Sequence, residues 1–181
     1  MPLPESTKRT ELHLRRIEMR GYRRDDGLYE IDGRVTDTKT QALRTWSGSV
    51  AAGTPIHDMW VRLVVDEDLL VHDIVAVSDA SPHTVCREAV EPMQAIVGER
   101  IRAGWTNRVK AKLGGAKGCT HLMELLIPLA TAAYQTIAPV RLARPDVVDP
   151  SGRPLKIDSC YAYSSTREIV ALRWPDHYRG G

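Results

Sequence analysis

The chain has 181 residues, 43% of them hydrophobic, which is enough to bury one core of ordinary size, and a single domain over residues 1–181 is expected. Its 25 basic and 23 acidic side chains nearly cancel, which excludes the broad positive field of a protein that lives on nucleic acid or anionic lipid. No apolar run reaches the roughly 20 residues of a bilayer crossing and no apolar core follows the N-terminal charges, so a cytoplasmic protein without membrane or nucleic-acid partners is expected, alone or as a homodimer.

Residues 1–10 are polar and expected to fray. "ELHLRRIEMRGYR" and "YEIDGRVTDT" read as strands joined across "RRDDGL", where Asp-Gly is a strong hairpin signal. "IHDMWVRLVV" and "LLVHDIVAVSD" flank the acidic turn "DED" and give two further strands, so the first half reads as an antiparallel meander. From residue 83 the period becomes helical: "TVCREAVEPMQAIVG" ends at Gly98, "GWTNRVKAKLGG" ends in a glycine pair, and a third, longer helix begins near Thr120. Residues 138–156 hold four prolines and read as an irregular connection, after which "KIDSCYAYS" and "REIVALRW" are expected as a closing pair of short strands. Strands first and helices second predict an α+β fold with about three helices packed on one face of the meander.

The stretch "GCTHLMELLIPLATAAYQTI" joins a cysteine, a histidine and a glutamate to the start of the third helix. Residues three or four apart share a helical face, whereas residues two apart diverge. Cys119 therefore begins an apolar stripe with Leu122, Leu126, Ala130 and Ala133, and is expected to pack as a small hydrophobe. His121 begins a polar stripe with Glu124, Pro128, Thr131 and Gln135, either solvated or lining a site. The three cysteines, Cys86, Cys119 and Cys160, contain no CxxC pair and read as free thiols. With His83 and His121 they would supply nitrogen and sulfur donors only if the fold brought them together, so no metal is assigned to them.

Strand parity points to a different constellation. Tyr29, Ile31 and Val35 share a face that ends at Asp37; Met59, Val61, Leu63 and Val65 share one that begins at His57; Leu69, Val71, Val75 and Val77 share one that ends at Asp79. A meander places these three ends at one rim of the sheet, so Asp37, His57 and Asp79 are expected to converge there. A histidine beside carboxylates has its tautomer fixed, which suits general acid–base work. His121 and Glu124 are candidate second proton carriers, and Lys39, Asp58, Arg24 and Tyr22 are candidate substrate-binding residues. The plainer alternative is that Asp37 and Asp79 cap turns, and that Arg23, Arg24, Asp25 and Asp26 form ion pairs in a turn at the opposite rim. Whether Trp46, Trp60, Trp105 and Trp174 line a pocket or fill the core is open, with core favoured for most.

No glycine-rich phosphate loop, nucleotide fingerprint or HExxH helix is present, so no organic cofactor is expected and proton chemistry by a lyase or isomerase is the leading reading. A metal or iron–sulfur carrier using the three cysteines and a non-catalytic ligand-binding partner are the alternatives.

The segments "YRRDDGL", "TDTK", "PIHDMWVRL", "SDASPHTVC", "GWTNRV", "LGGAKGCTHLMELL" and "IDSC" together resemble an uncharacterised bacterial family, domain of unknown function 2889. The resemblance implies an association with degradation of aromatic compounds, hence a small phenolic, lignin-derived substrate; loss of formaldehyde from a hydroxymethyl side chain is one concrete form. The order of elements is also similar to that of iron–sulfur scaffold and sulfur-acceptor proteins, where Cys119 would match the last cluster ligand. This chain has Gly118 where that pattern has a histidine, and no cysteine in an early hairpin loop.

Overall fold

A computed structural model describes residues 4–45 and 48–180 of the chain, which divides into two compact units, Met1–Ala138 and Pro139–Gly181. The chain order is β1 (His13–Arg23), β2 (Tyr29–Lys39), β3 (Leu43–Thr45), β4 (Gly48–Val50), β5 (Pro55–Val65), β6 (Val71–Ala80), a 3₁₀ helix over Thr84–Ile96, α1 (Trp105–Leu113), α2 (Thr120–Thr136), α3 (Ala138–Leu142) and α4 (Glu168–Arg173). Short 3₁₀ turns occupy Gly115–Lys117 and Pro175–His177.

The meander forms as its alternating pattern predicts. Strands β1, β2, β5 and β6 make one antiparallel sheet in that order, and β3 and β4 make a separate two-stranded hairpin between β2 and β5. In the β1–β2 turn Gly27 sits at φ +87°, a conformation open to glycine, and Asp26 accepts the Leu28 N–H. On the inner face of the first unit, Ile31, Val35, Met59, Val61, Leu63 and Ile74 are buried against Leu122, Leu125, Leu126 and Leu129 of α2 and against Val109 and Leu113 of α1. Each such side chain taken from water contributes about 1.5–3 kcal/mol. Gly33 lets α2 lie close to the sheet: a Cβ there would stand 3.1 Å from Leu129 and 2.9 Å from the Met19 sulfur.

Pairing slips by one residue at Ile56 of β5, without moving His57 from the inner face, and parity fails along β6. On β6, Val65 pairs with Val71 but Val64 pairs with Asp73, so His72 is an extra residue in a bulge. Beyond it the faces exchange: Ile74, Ala76 and Ser78 oppose the inward Leu63, Val61 and Met59, while Val75 and Val77 turn outward and are exposed. The helical segment 84–96 is 3₁₀ rather than α, with Pro92 inside it, and Gly98 at φ +82° follows its end.

The second unit has its own small core of Ile157, Val170 and Trp174, with Tyr163 packed on it. The expected closing strand pair does not form. Residues 156–163 are a succession of turns in which Asp158 adopts φ +63° and its carboxylate accepts the Ser165 N–H, and residues 168–173 are helical. The reason is local: Asp and Ser side chains offer the backbone partners other than a strand ladder, and Val170 and Trp174 reach one core at helical spacing. Trp174 donates its indole N–H to Asp146, whose carboxylate also pairs with Lys156.

Candidate active site

Asp37 is the only polar or charged residue buried among the described ones, at 3% exposure. Its position follows from register: it lies opposite Arg15 on β1 and opposite His57 on β5, at the rim where β1 begins, β2 ends and β5 begins. Both carboxylate oxygens are fully used. Oδ1 accepts from Arg15 Nε at 2.9 Å and lies 2.7 Å from His13 Nε2; Oδ2 accepts from Arg15 Nη2 at 2.9 Å and lies 3.0 Å from His57 Nδ1. Burial alone would push this carboxyl up, but the Arg15 and His13 hydrogen bonds, with the Arg15 charge and His57, hold it well below the usual carboxylate range. Asp37 is therefore a fixed anion.

The first turn of α2 closes the site from the other side. The His121 ring lies against that of His57, with centroids 3.8 Å apart and planes inclined by 33°. Glu124 stands 3.8 Å from Arg15 Nη1 and is exposed. A cleft of about 20 Å³, room for one water, lies among Arg15, Ile17, Val35, His121, Glu124 and Leu125. Ile17 is half exposed at its mouth, so an apolar shelf beside Arg15 adjoins the cluster.

Cys119 sits immediately before α2 in extended backbone, half-buried against the core, with Sγ 3.9 Å from His121 Nδ1. Burial raises its thiol, but the hydrogen bonds from His121 and from the Leu122 and His121 backbone outweigh that and leave it below the ordinary cysteine value. One group of residues among those described could hold a metal ion, Asp37, His57 and His121, whose ligand atoms all lie within 4.8 Å of one another. No cysteine belongs to it. His83 and Cys86 lie at the start of the 3₁₀ segment, and Cys160 is exposed in the second unit.

Of the residues expected from sequence, Asp37, His57, His121 and Glu124 come together, and Lys39 stands two residues past Asp37, opposite His13. Asp79 does not join them. The bulge at His72 exchanges the faces of β6, and Asp79 is itself skipped in the pairing between Ser78 and Ala80; it is exposed and faces Arg34, itself held by a two-bonded pair with Asp58. Asp58 is thus on the outer face. Arg24 is engaged by Asp26 and Glu30 at the opposite rim, and Tyr22 pairs there with Glu30, seven register steps from Arg15 or about 23 Å along the strand. The turn reading of Arg24 and Asp26 holds. Trp105 is buried and donates to the Leu126 carbonyl, Trp174 is core in its own unit, Trp60 lies exposed on the outer face against Arg34, and Trp46 lies outside the described residues.

Sequence reasoning missed His13 and Arg15. Both stand at odd positions of β1, in register with Lys39 and Asp37, so extending the parity argument to the edge strand would have found them.

Fold and site together define an α+β protein with a buried carboxylate, clamped by an arginine and flanked by histidines, at the rim of a four-stranded sheet. Residues 13–135 match the family model described as "Protein of unknown function (DUF2889)", and the chain belongs to that family. Neither a curated protein nor a solved structure matches it.

Proposed function

We propose that the protein is an acid–base enzyme, a lyase or isomerase acting on a small phenolic aromatic, with His57 as the proton-carrying group. The observation that carries this reading is the 3.0 Å contact between His57 Nδ1 and the buried, ionised Asp37. With Nδ1 so engaged, Nε2 is the atom left to take and return a proton, and the Asp37 charge stabilises the imidazolium when it does. Arg15 and His13 hold the carboxylate still, which makes them positioning residues. His121, whose ring lies against that of His57, and Glu124, which lines the adjoining cleft with His121 and Arg15, are the second proton carriers.

Two features support an aromatic substrate. The apolar shelf at Ile17 gives a ring a surface to rest on outside a cleft that admits only water, and Arg15 beside it complements a phenolate or carboxylate. In the specific form proposed, a base takes the proton of a hydroxymethyl side chain, the carbon–carbon bond to the ring substituent breaks, formaldehyde leaves, and the ring system takes the electron pair until a proton returns.

The test is a panel of phenolic compounds bearing hydroxymethyl side chains, scored for formaldehyde release and for deuterium uptake from solvent. Turnover that falls about 10²–10⁴-fold in His57→Gln with the fold retained is the expected result. Full turnover in that variant would remove His57 from the chemistry, and binding of the compounds without turnover would favour a ligand-binding role.

A further inference from the structure

We infer that Asp37, His57 and His121 also form a binding site for a first-row divalent cation of the zinc class. This goes beyond the acid–base reading and does not rest on it: a cation on His57 Nδ1 would leave the ring proton on Nε2, the atom that must otherwise be open to take one, so the ion-bound and acid–base forms of the site exclude each other.

The argument begins with the donor set. Two imidazoles and one carboxylate are the ligands that zinc and its first-row neighbours accept while keeping open positions for water. Around an ion with bonds of about 2.0–2.2 Å, neighbouring ligand atoms lie roughly 3–3.5 Å apart. Asp37 Oδ2 and His57 Nδ1 are already 3.0 Å apart, so a cation can replace the proton between them without moving either backbone. The third ligand atom, on His121, falls within the same 4.8 Å grouping, and its ring already lies against that of His57, so a small side-chain rotation would close the remaining gap.

The surroundings fit a ligated cation as well. Bound ligands are usually oriented by outer hydrogen bonds, and Asp37 has two such partners on its remaining lone pairs, Arg15 and His13. Arg15 is the charge that opposes a dication; Asp37 and Glu124 offset it, Glu124 lying 3.8 Å from the guanidinium. The water-sized cleft beside His121 supplies room for a further, exchangeable ligand. Each ligand also comes from a different element, β2, β5 and α2, so the ion would tie the helix to the sheet.

The experiment uses the full chain, stripped with a chelator and titrated with Co²⁺ by visible spectroscopy and with Zn²⁺ by calorimetry. One equivalent should bind, with a cobalt spectrum of low coordination number. His57→Gln and His121→Gln should each weaken binding by at least about 100-fold and His13→Gln by about 10-fold, the scale on which outer partners tune a ligand. His72→Gln, which removes a histidine paired with Asp66 on a turn, should leave it unchanged. Circular dichroism checks that each variant folds. Should a variant unfold, imidazole NMR of the unaltered protein decides, with zinc shifting the His57 and His121 signals and sparing His72 and His177. Absence of stoichiometric binding, full affinity in both glutamine variants, or zinc-induced shifts at His72 or His177 in place of His57 and His121 would overturn the inference while leaving the acid–base reading standing. Conversely, ion binding by a stripped protein that turns over none of the phenolic panel counts against the acid–base reading alone.

Discussion

His57 and His121 lie ring against ring, 3.8 Å between centroids, although one is brought in by strand β5 and the other by the first turn of helix α2. Their approach depends on how closely α2 rests on the sheet, and Gly33 sets that distance midway along the helix. In Gly33→Ala the new methyl would press on Leu129 and Met19. Overpacking of this kind costs about 1–3 kcal/mol, so denaturant unfolding should show a loss in that range. Turnover or metal affinity should fall with it, because the helix carries His121.

Asp37→Asn tests the clamp. An exposed ion pair contributes about 1 kcal/mol or less, whereas removing one member of a fully buried pair costs about 3–5 kcal/mol. Asp37 is buried but Arg15 is partly exposed, so an intermediate loss of about 2–3 kcal/mol is expected. Chemical denaturation of the variant at neutral pH measures it. A loss below about 0.5 kcal/mol would mean that Arg15 and His13 find water as easily as they found the carboxylate.

The sheet and the first unit's helices were legible in the sequence because period is a local property: alternation wrote β1, β2 and β5, and the Leu122, Leu126, Ala130, Ala133 stripe wrote α2. Asp37 and His57 were legible for the same reason, since parity carried them to the core face and antiparallel pairing to one rim. Asp79 was misplaced because a bulge changes the count of residues without changing their character, and His72 looks like any outward residue of an alternating strand. The closing strands were misread because "REIVALRW" has too few periods to separate a strand from one turn and a half of helix.

Cys119 differs from its expected place by one step. It precedes α2 rather than riding inside its apolar stripe, so it is half-buried instead of enclosed. Native alkylation followed by peptide mass spectrometry should therefore modify the exposed Cys160 first and Cys86 and Cys119 later. His121→Ala should slow labelling of Cys119 near neutral pH, because the hydrogen bond that lowers this thiol, now at 3.9 Å, is lost. Labelling of Cys119 as fast as Cys160 in the unaltered protein would show that the start of α2 opens readily.

Asp66 gives the clearest pH dependence outside the site. Its Oδ1 accepts the backbone N–H groups of Asp68 and Leu70 in the β5–β6 turn, and Oδ2 lies 3.0 Å from His72 Nε2. Burial works to raise this carboxyl, yet the His72 contact and the two backbone donors together lower it. A carboxyl that is more acidic folded than unfolded stabilises the folded state above the unfolded value of about 3.9, and that contribution is lost as pH falls through the folded value. The same turn holds buried Leu69 at φ +63°, a strained conformation that the Asp66 hydrogen bonds help to keep. Asp66→Asn retains the shape of the turn but has no charge to lose. At neutral pH it should be less stable than the unaltered protein by about 0.5–1.5 kcal/mol, and the gap should close as the pH is lowered from about 5 toward 2. Urea melts of both proteins across that range decide the matter; a gap of constant size would show that the turn is held by its hydrogen-bond geometry alone.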